Sequence, residues 1–185
     1  LLATGFGGGL TGTASSGDVI LAERVIEASR GGQEPRELET DETWLEALDA
    51  ASSSPATMYR GSLLTVADVV CSAKQKRALG SRYGAEGVDM ESYVILQEAL
   101  KRGVPCIAAR AVLDEAGFDL PRGLDDIPDS DGRLGAMRLA ALVIRRPWSI
   151  PGLLALRSRS VLASAGLAAF VKAAVLARKD STEDD

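Results

Sequence analysis

Three short stretches of this sequence hold side chains that could do chemistry. Val88-Asp89-Met90-Glu91-Ser92 puts carboxylates where a helix is expected to begin. Arg110-Ala111-Val112-Leu113-Asp114 ends an apolar strand with another. Thr4-Gly5-Phe6-Gly7-Gly8-Gly9-Leu10 offers backbone N–H groups that a phosphate or sugar can approach closely. Negative charge on Glu91 is favoured by the positive end of a helix. A carboxylate there can accept two hydrogen bonds, as from the vicinal hydroxyls of a ribose. Met90 beside it offers a soft apolar contact for a sugar face. Asp114 stands at the carboxyl end of a strand, where ligands of open α/β sheets bind, and is expected to be partly desolvated by Leu113 and Phe118. Such an acid can give a proton to a purine nitrogen, so that the base leaves neutral. Each residue also has a plain structural use. The glycines suit a tight turn between strands, Glu91 satisfies a helix dipole, Met90 fills a core, and Asp114 pairs with Arg110 or caps a loop.

The composition narrows the chemistry further. The 185 residues contain no histidine, which excludes a Ser-His-Asp triad, a Cys-His pair and any histidine metal site within this chain. Acid–base work falls to Asp, Glu, Lys, Tyr or Cys. Cys71 and Cys106 are too few for a disulfide framework and form no CxxC pair, so two reduced, buried thiols in a cytoplasmic protein are expected. The net charge of -5 hides an asymmetry: Arg133 to Lys179 carries nine Lys or Arg and no acid, and Asp180 to Asp185 carries four acids and no base. The basic part suits an anionic partner surface, a membrane or a neighbouring subunit, or is a set of solvated helix faces.

The elements that must position these residues follow from pattern. Leu1 to Thr4 reads as the end of a buried strand entering a glycine loop, with a second strand from Val19 to Ala28 after the Gly17-Asp18 turn. Arg30 to Asp41 reads as a loop and Thr43 to Ala51 as a helix ended by Ser52-Ser53-Ser54-Pro55. Gly61 to Val70 is rich in strand formers, Ser72 to Tyr83 reads as a charged surface helix, and Ala85 to Val88 as a short strand. Asp89 to Arg102 is the clearest helix: Asp89 can cap it, Lys101 and Arg102 suit its last turn, and Gly103 can close it. Cys106 to Leu113 is an apolar strand buried on both faces. A proline- and aspartate-rich loop spans Gly117 to Asp131, and Gly132 to Lys179 is helical with breaks at Pro147 and Pro151. Val161 to Ala177, interrupted by Lys172, reads as a packed helix too short and too alanine-rich to span a membrane. Alternating strands and helices give one α/β domain over residues 1–185, with a three-layer α/β/α arrangement and a mixed, largely parallel central sheet. The chain opens without methionine, as if inside a strand, so N-terminal strands are expected to precede it.

Gly7-Gly8-Gly9-Leu10-Thr11-Gly12 matches GxGxxG, but a turn and a strand follow it where a dinucleotide-binding fold needs a helix. The order of the stretches points elsewhere. A glycine loop before Gly17-Asp18-Val19-Ile20, then Val-Asp-Met-Glu-Ser, then Arg-Ala-Val-Leu-Asp, resembles the nucleoside phosphorylase and nucleosidase superfamily over roughly residues 2–116. That superfamily includes purine nucleoside phosphorylases and methylthioadenosine/S-adenosylhomocysteine nucleosidases. Val69-Val70 leading to Lys76-Arg77-Ala78-Leu79, Leu120-Pro121, and Arg146-Pro147 with Pro151-Gly152-Leu153-Leu154 look closest to the hopanoid-associated phosphorylases, which act on adenosylhopane.

The resemblance implies cleavage of an N-glycosidic bond through an oxocarbenium-like state, with no metal and no organic cofactor. It implies that Asp114 protonates or hydrogen-bonds N7 of adenine, that Glu91 holds the ribose hydroxyls beside Asp89, and that Met90 packs on the sugar. Thr4, Gly5, Phe6, Gly7 and Gly8 would line the ribosyl or nucleophile side. Phosphate would be a co-substrate, and relatives are homo-oligomers. Phe6 stands where many phosphorylases carry a phosphate-touching serine, no arginine lies just before that loop, and Val69 and Val70 replace a base-stacking aromatic. Water therefore stays open beside phosphate as nucleophile. Trp148, Ile150, Leu153 and Leu154 among Arg145, Arg146, Arg157 and Arg159 could rest on an anionic membrane. A second class fits the same residues: a nucleoside-binding module without catalysis.

Overall fold

The computed structural model describes residues 1–29, 33–50, 57–120 and 150–183. Among these residues six strands are formed: β1 (Leu2–Gly9), β2 (Val19–Glu27), β3 (Arg36–Glu39), β4 (Met58–Thr65), β5 (Gly87–Asp89) and β6 (Ile107–Asp114). Four helices accompany them among the described residues: α1 (Glu42–Ala50), α2 (Ala73–Tyr83), α3 (Ser92–Lys101) and α4 (Ile150–Glu183). The strands form one mixed sheet in the order β3-β2-β4-β5-β1-β6, with β6 also pairing back onto β2. Val19–Leu21 of β2 takes β6 on the edge that Arg24–Glu27 uses for β3. The sheet therefore closes on itself through β2, β4, β5, β1 and β6. The expected mixed, largely parallel sheet is present: the two longest ladders among the described residues, β2 with β4 and β1 with β6, are both parallel.

Side chains on the two faces meet different helices. Tyr93, Leu96 and Ala99 of α3 pack with Ile20, Ala22, Leu63 and Ala108. Leu45 and Leu48 of α1 and Phe170 and Ala174 of α4 cover Val19, Leu21, Ile107 and Ala109. Burying a side chain such as Phe170, Leu96 or Ile107 stabilises the fold by about 1.5–3 kcal/mol each. α4 reaches the sheet because Gly166 lies directly on the Gly17 turn, where a Cβ would stand 1.9 Å from the Gly17 carbonyl oxygen. Gly17 itself has φ of 98°, a left-handed turn that glycine adopts without penalty.

The caps explain the helix ends. The Asp41 side chain accepts from the Trp44 N–H at 2.9 Å to start α1. Ser72 accepts from the Gln75 N–H at the start of α2, and left-handed Gly84 closes it. Gly103 is left-handed after α3, as its position suggested.

Several expectations are corrected. The glycine run is strand, not loop: β1 continues through Gly9 because its glycines pair with β5 and β6. Part of the expected loop 30–41 is β3, an edge strand whose charged residues carry no strand signal. Val66 to Val70 leave the sheet after β4. α2 is not wholly a surface helix, since Ala73, Lys76 and Gly80 are buried. α3 begins at Ser92 rather than Asp89, which ends β5 but still accepts from the Ser92 N–H at 3.0 Å. Pro151 lies in the first turn of α4, where proline is tolerated, and breaks nothing. Leu154–Leu176 is long and apolar enough by composition to cross a membrane, with a mean hydropathy of 1.5, although Ala163, Phe170 and Ala174 within it pack on the sheet. Residues 52–55 and most of the stretch from 117 to 149, including Pro147 and Trp148, lie outside the described residues.

Candidate functional site

A cleft of about 210 Å3 opens at the carboxyl ends of β4, β5 and β6. It is lined by Phe6, Gly7 and Gly8 of β1, the segment Val66 to Val70, Asp89, Met90 and Glu91 before α3, Leu113 and Asp114 of β6, and Leu120. Apolar walls with a few convergent polar groups are the usual make-up of a small-molecule site.

Asp114 reaches the cleft through an irregularity in the sheet. Gly7 pairs with Val112 but Gly8 pairs with Asp114, so β6 carries one extra residue at Leu113. A bulge of this kind re-aims side chains. It accounts for both Leu113 and Asp114, adjacent in a strand, lining the same cleft. The Asp114 carboxylate is buried and pairs with the ammonium of Lys76, which also donates to the carbonyls of Glu115 at 3.1 Å and Phe118 at 2.8 Å. Burial pushes the Asp114 carboxyl above its ordinary value, against the opposing pull of the Lys76 and Arg159 charges. The pairing with Arg110 that the sequence left open is not made.

Arg110 instead turns to the other side. It is 3% exposed, and its Nε donates to Asp89 at 2.6 Å. Gly5 makes the room: a Cβ there would meet the Arg110 guanidinium at 2.9 Å. Asp89 also accepts from the Thr65 hydroxyl at 2.7 Å, and Thr65 in turn accepts from the Tyr93 N–H at 3.0 Å. Both oxygens of Asp89 are thus taken by protein. It lines the cleft but anchors the start of α3 rather than offering a free acceptor. Arg110 Nη2 lies 3.8 Å from Glu91, whose side chain is 59% exposed and open to the cleft. Met90 stands beside it, 42% exposed.

The structure therefore gathers Phe6, Gly7, Gly8, Asp89, Met90, Glu91 and Asp114 around one cleft. Thr4 and Gly5 are not in its lining; Thr4 is exposed and Gly5 serves Arg110. No group of His, Cys, Asp and Glu that could hold a metal ion occurs among the described residues. Cys106 is buried, which pushes its thiol up, and Cys71 is half-buried.

A family model, the phosphorylase superfamily, matches residues 1–145. The chain belongs to that superfamily. Solved structures of nucleoside-cleaving enzymes share its fold. A 5′-methylthioadenosine/S-adenosylhomocysteine nucleosidase from Neisseria meningitidis, in complex with methylthio-immucillin-A, is 18% identical with a TM-score of 0.66, over 94% of this chain and 68% of its own. The Campylobacter jejuni enzyme of the same description is 21% identical with a TM-score of 0.58, over 68% of this chain and 60% of its own. A futalosine hydrolase mutant of Helicobacter pylori is 21% identical with a TM-score of 0.55, over 61% of this chain and 56% of its own. The chain thus spans less than two thirds of the length of two of these three structures. No curated protein matches it.

In this superfamily member, two residues that shape the site escaped the sequence reading in part. The sequence gives Arg110 a role only as a partner for Asp114, and places Lys76 in a charged surface helix and a family motif. The signal for Lys76 was present: Ala73, Lys76 and Gly80 fall on one helical face, and two small residues flanking a lysine leave it space to be buried.

Proposed function

We propose that this protein cleaves the N-glycosidic bond of a purine nucleoside of the adenosine type. The observation that carries the reading is one cleft lined by a buried carboxylate, Asp114, and an open one, Glu91, together with Met90 and the backbone of Gly7 and Gly8. Superfamily membership and the nucleosidase relatives support it. In this reading Glu91 accepts from the ribose hydroxyls and Met90 lies on the sugar. The bond from C1′ to the base nitrogen breaks with its electron pair going to the base. Asp114 delivers a proton to the purine ring, and an oxygen nucleophile, water or phosphate, bonds to C1′. The apolar residues Val66, Val69 and Val70 face the base in place of a stacking aromatic ring. The protein is taken to be a cytoplasmic homo-oligomer that needs no metal or organic cofactor.

Incubation of the full chain with adenosine and 5′-substituted adenosines tests this by release of free adenine, with and without phosphate. Release only with phosphate makes it a phosphorylase, and release without it a nucleosidase. Bound nucleoside with no release favours the binding module. Because a donor must be protonated, kcat/KM should fall as pH rises through the Asp114 pKa, at a pH above the ordinary carboxylate range. A profile that is flat across the acidic range speaks against Asp114 as the acid.

A finer reading adds a lipid on the 5′ side, as in adenosylhopane. It is favoured by Leu154, Val161, Leu162, Val175 and Leu176, which α4 leaves exposed. Arg157 is exposed beside them, whereas Arg159 stacks over the Phe118 ring at 4.0 Å and faces Glu115. Co-sedimentation with anionic liposomes should fall as salt is raised. Absence of binding at every salt concentration removes the lipid reading and leaves the nucleoside reading intact.

A further inference from the structure

The proposed reaction assigns no task to Lys76, yet its burial is complete. A lysine is almost never fully buried without a partner, because removing its charge from water is costly. Lys76 is 0% exposed and spends all three of its ammonium donors, on Asp114 and on the carbonyls of Glu115 and Phe118. The same stretch of chain is held to the start of α2 at two more points. The Ala73 N–H donates to Asp119 at 2.6 Å, and the Leu120 N–H to the Cys71 carbonyl at 2.8 Å. The turn after β6, with Leu120 at the cleft wall, is therefore strapped to α2 around the Lys76 ammonium.

We propose that Lys76 is a positioning residue that acts through Asp114, fixing its carboxylate in the cleft and governing whether that carboxylate rests with or without a proton. This deepens the reading of Asp114 as the acid and rests on it. Two influences oppose each other at Asp114. Burial favours the neutral acid, and the ammonium favours the carboxylate. The other charged groups facing it are Arg159 from α4 and Glu115 next in the chain, with Asp89, Arg110 and Glu91 across the cleft. Arg159 pulls in the same direction as Lys76 but less strongly, while it faces Glu115 at 3.9 Å, and Arg110 pairs with Asp89. Lys76 is the charge in direct contact with Asp114. A neutral side chain at position 76 would let burial prevail, and Asp114 would keep its proton to higher pH.

The test is a carboxyl titration by NMR of protein labelled with 13C at aspartate, the Asp114 signal being the one lost in Asp114→Asn. It is run on the wild-type chain, on Lys76→Met and on Lys76→Gln, which keeps a donor in the same space. Both variants should raise the Asp114 midpoint by about one pH unit or more, a tenfold change in proton affinity, and the falling limb of kcat/KM should move with it. A midpoint that stays in place in either folded variant overturns the proposal. Should neither variant fold, the wild-type chain still decides. If Lys76 pairs with the Asp114 carboxylate, the 15N signal of the Lys76 ammonium shifts through the Asp114 midpoint, and a Lys76 signal that does not respond there overturns the pairing. Adenine release is assayed separately. A shifted midpoint without release sinks the reaction and keeps Lys76 as the governor of Asp114. Release with an unmoved midpoint sinks Lys76 alone.

Discussion

Asp114→Asn is expected to lower kcat for base release by about 100- to 10,000-fold, the range a positioned general acid supplies. Asparagine keeps the shape of the side chain and cannot give up a proton. The substitution has a second effect that must be separated from the first. It leaves the Lys76 ammonium, 0% exposed, without its counter-charge, and uncompensated buried charge of this kind costs about 3–5 kcal/mol. A loss of activity could then reflect unfolding. The double variant Lys76→Met with Asp114→Asn removes both charges, and replacing a buried pair with neutral groups is often close to neutral for stability. It should recover most of the lost melting temperature and none of the turnover. Adenosine should still bind, because Glu91 and Met90 are untouched. Full turnover by Asp114→Asn would remove the aspartate from the reaction; lost binding in the folded double variant would mean that it holds the base rather than protonating it.

Arg110→Met is expected to cost as much stability as Asp114→Asn. The guanidinium is buried and donates to Asp89 at 2.6 Å. Without it, the Asp89 carboxylate keeps only the Thr65 hydroxyl and the Ser92 N–H. Breaking such a pair from one side costs about 3–5 kcal/mol, read as a fall in the denaturant midpoint. The consequence does not stop at folding. Asp89 secures the first turn of α3, and Met90 and Glu91 lie between that anchor and the helix. Nucleoside affinity should therefore weaken together with stability. A loss below about 1 kcal/mol with unchanged affinity would show that Asp89 is held well enough by its neutral partners.

How far the sequence revealed the site depends on the kind of signal each residue left. Asp114 was legible because an apolar strand ending in a carboxylate is unusual, and the strand does end there. Glu91 and Met90 were legible because a helix start is marked by its caps, although the helix begins at Ser92. The glycines were misread in detail. GxGxxG suggests a loop, whereas here the missing side chains admit Arg110 and the neighbouring strands, a demand that comes from residues about 100 positions away. Lys76 was read as part of a charged surface helix because charge normally means solvent. Only its partner on β6, 38 residues on, reverses that. The antiparallel pairings at β3 and between β6 and β2 were not legible either. β3 is four charged-rich residues at an edge, and the pairing of β6 with β2 joins two strands whose hydrophobic patterns would suit several neighbours.

The return of β6 to β2 has a consequence for how the chain is made. β6 is the last strand among the described residues, and it completes both β1, from Leu2 paired with Ile107, and the first half of β2, from Val19 paired with Ala111. A nascent chain that has emerged only to residue 106 holds two long apolar strands with open hydrogen-bonding edges and nothing to fill them. Local pairing cannot relieve this, because the missing partner is separated by most of the domain, and such distant contacts form late. The period between emergence of β1 and emergence of β6 is then the time of greatest exposure to misassembly. A ribosomal pause just before residue 107 should leave the nascent chain aggregation-prone or bound to chaperones, whereas one placed after Asp114 has emerged should leave the ring able to close.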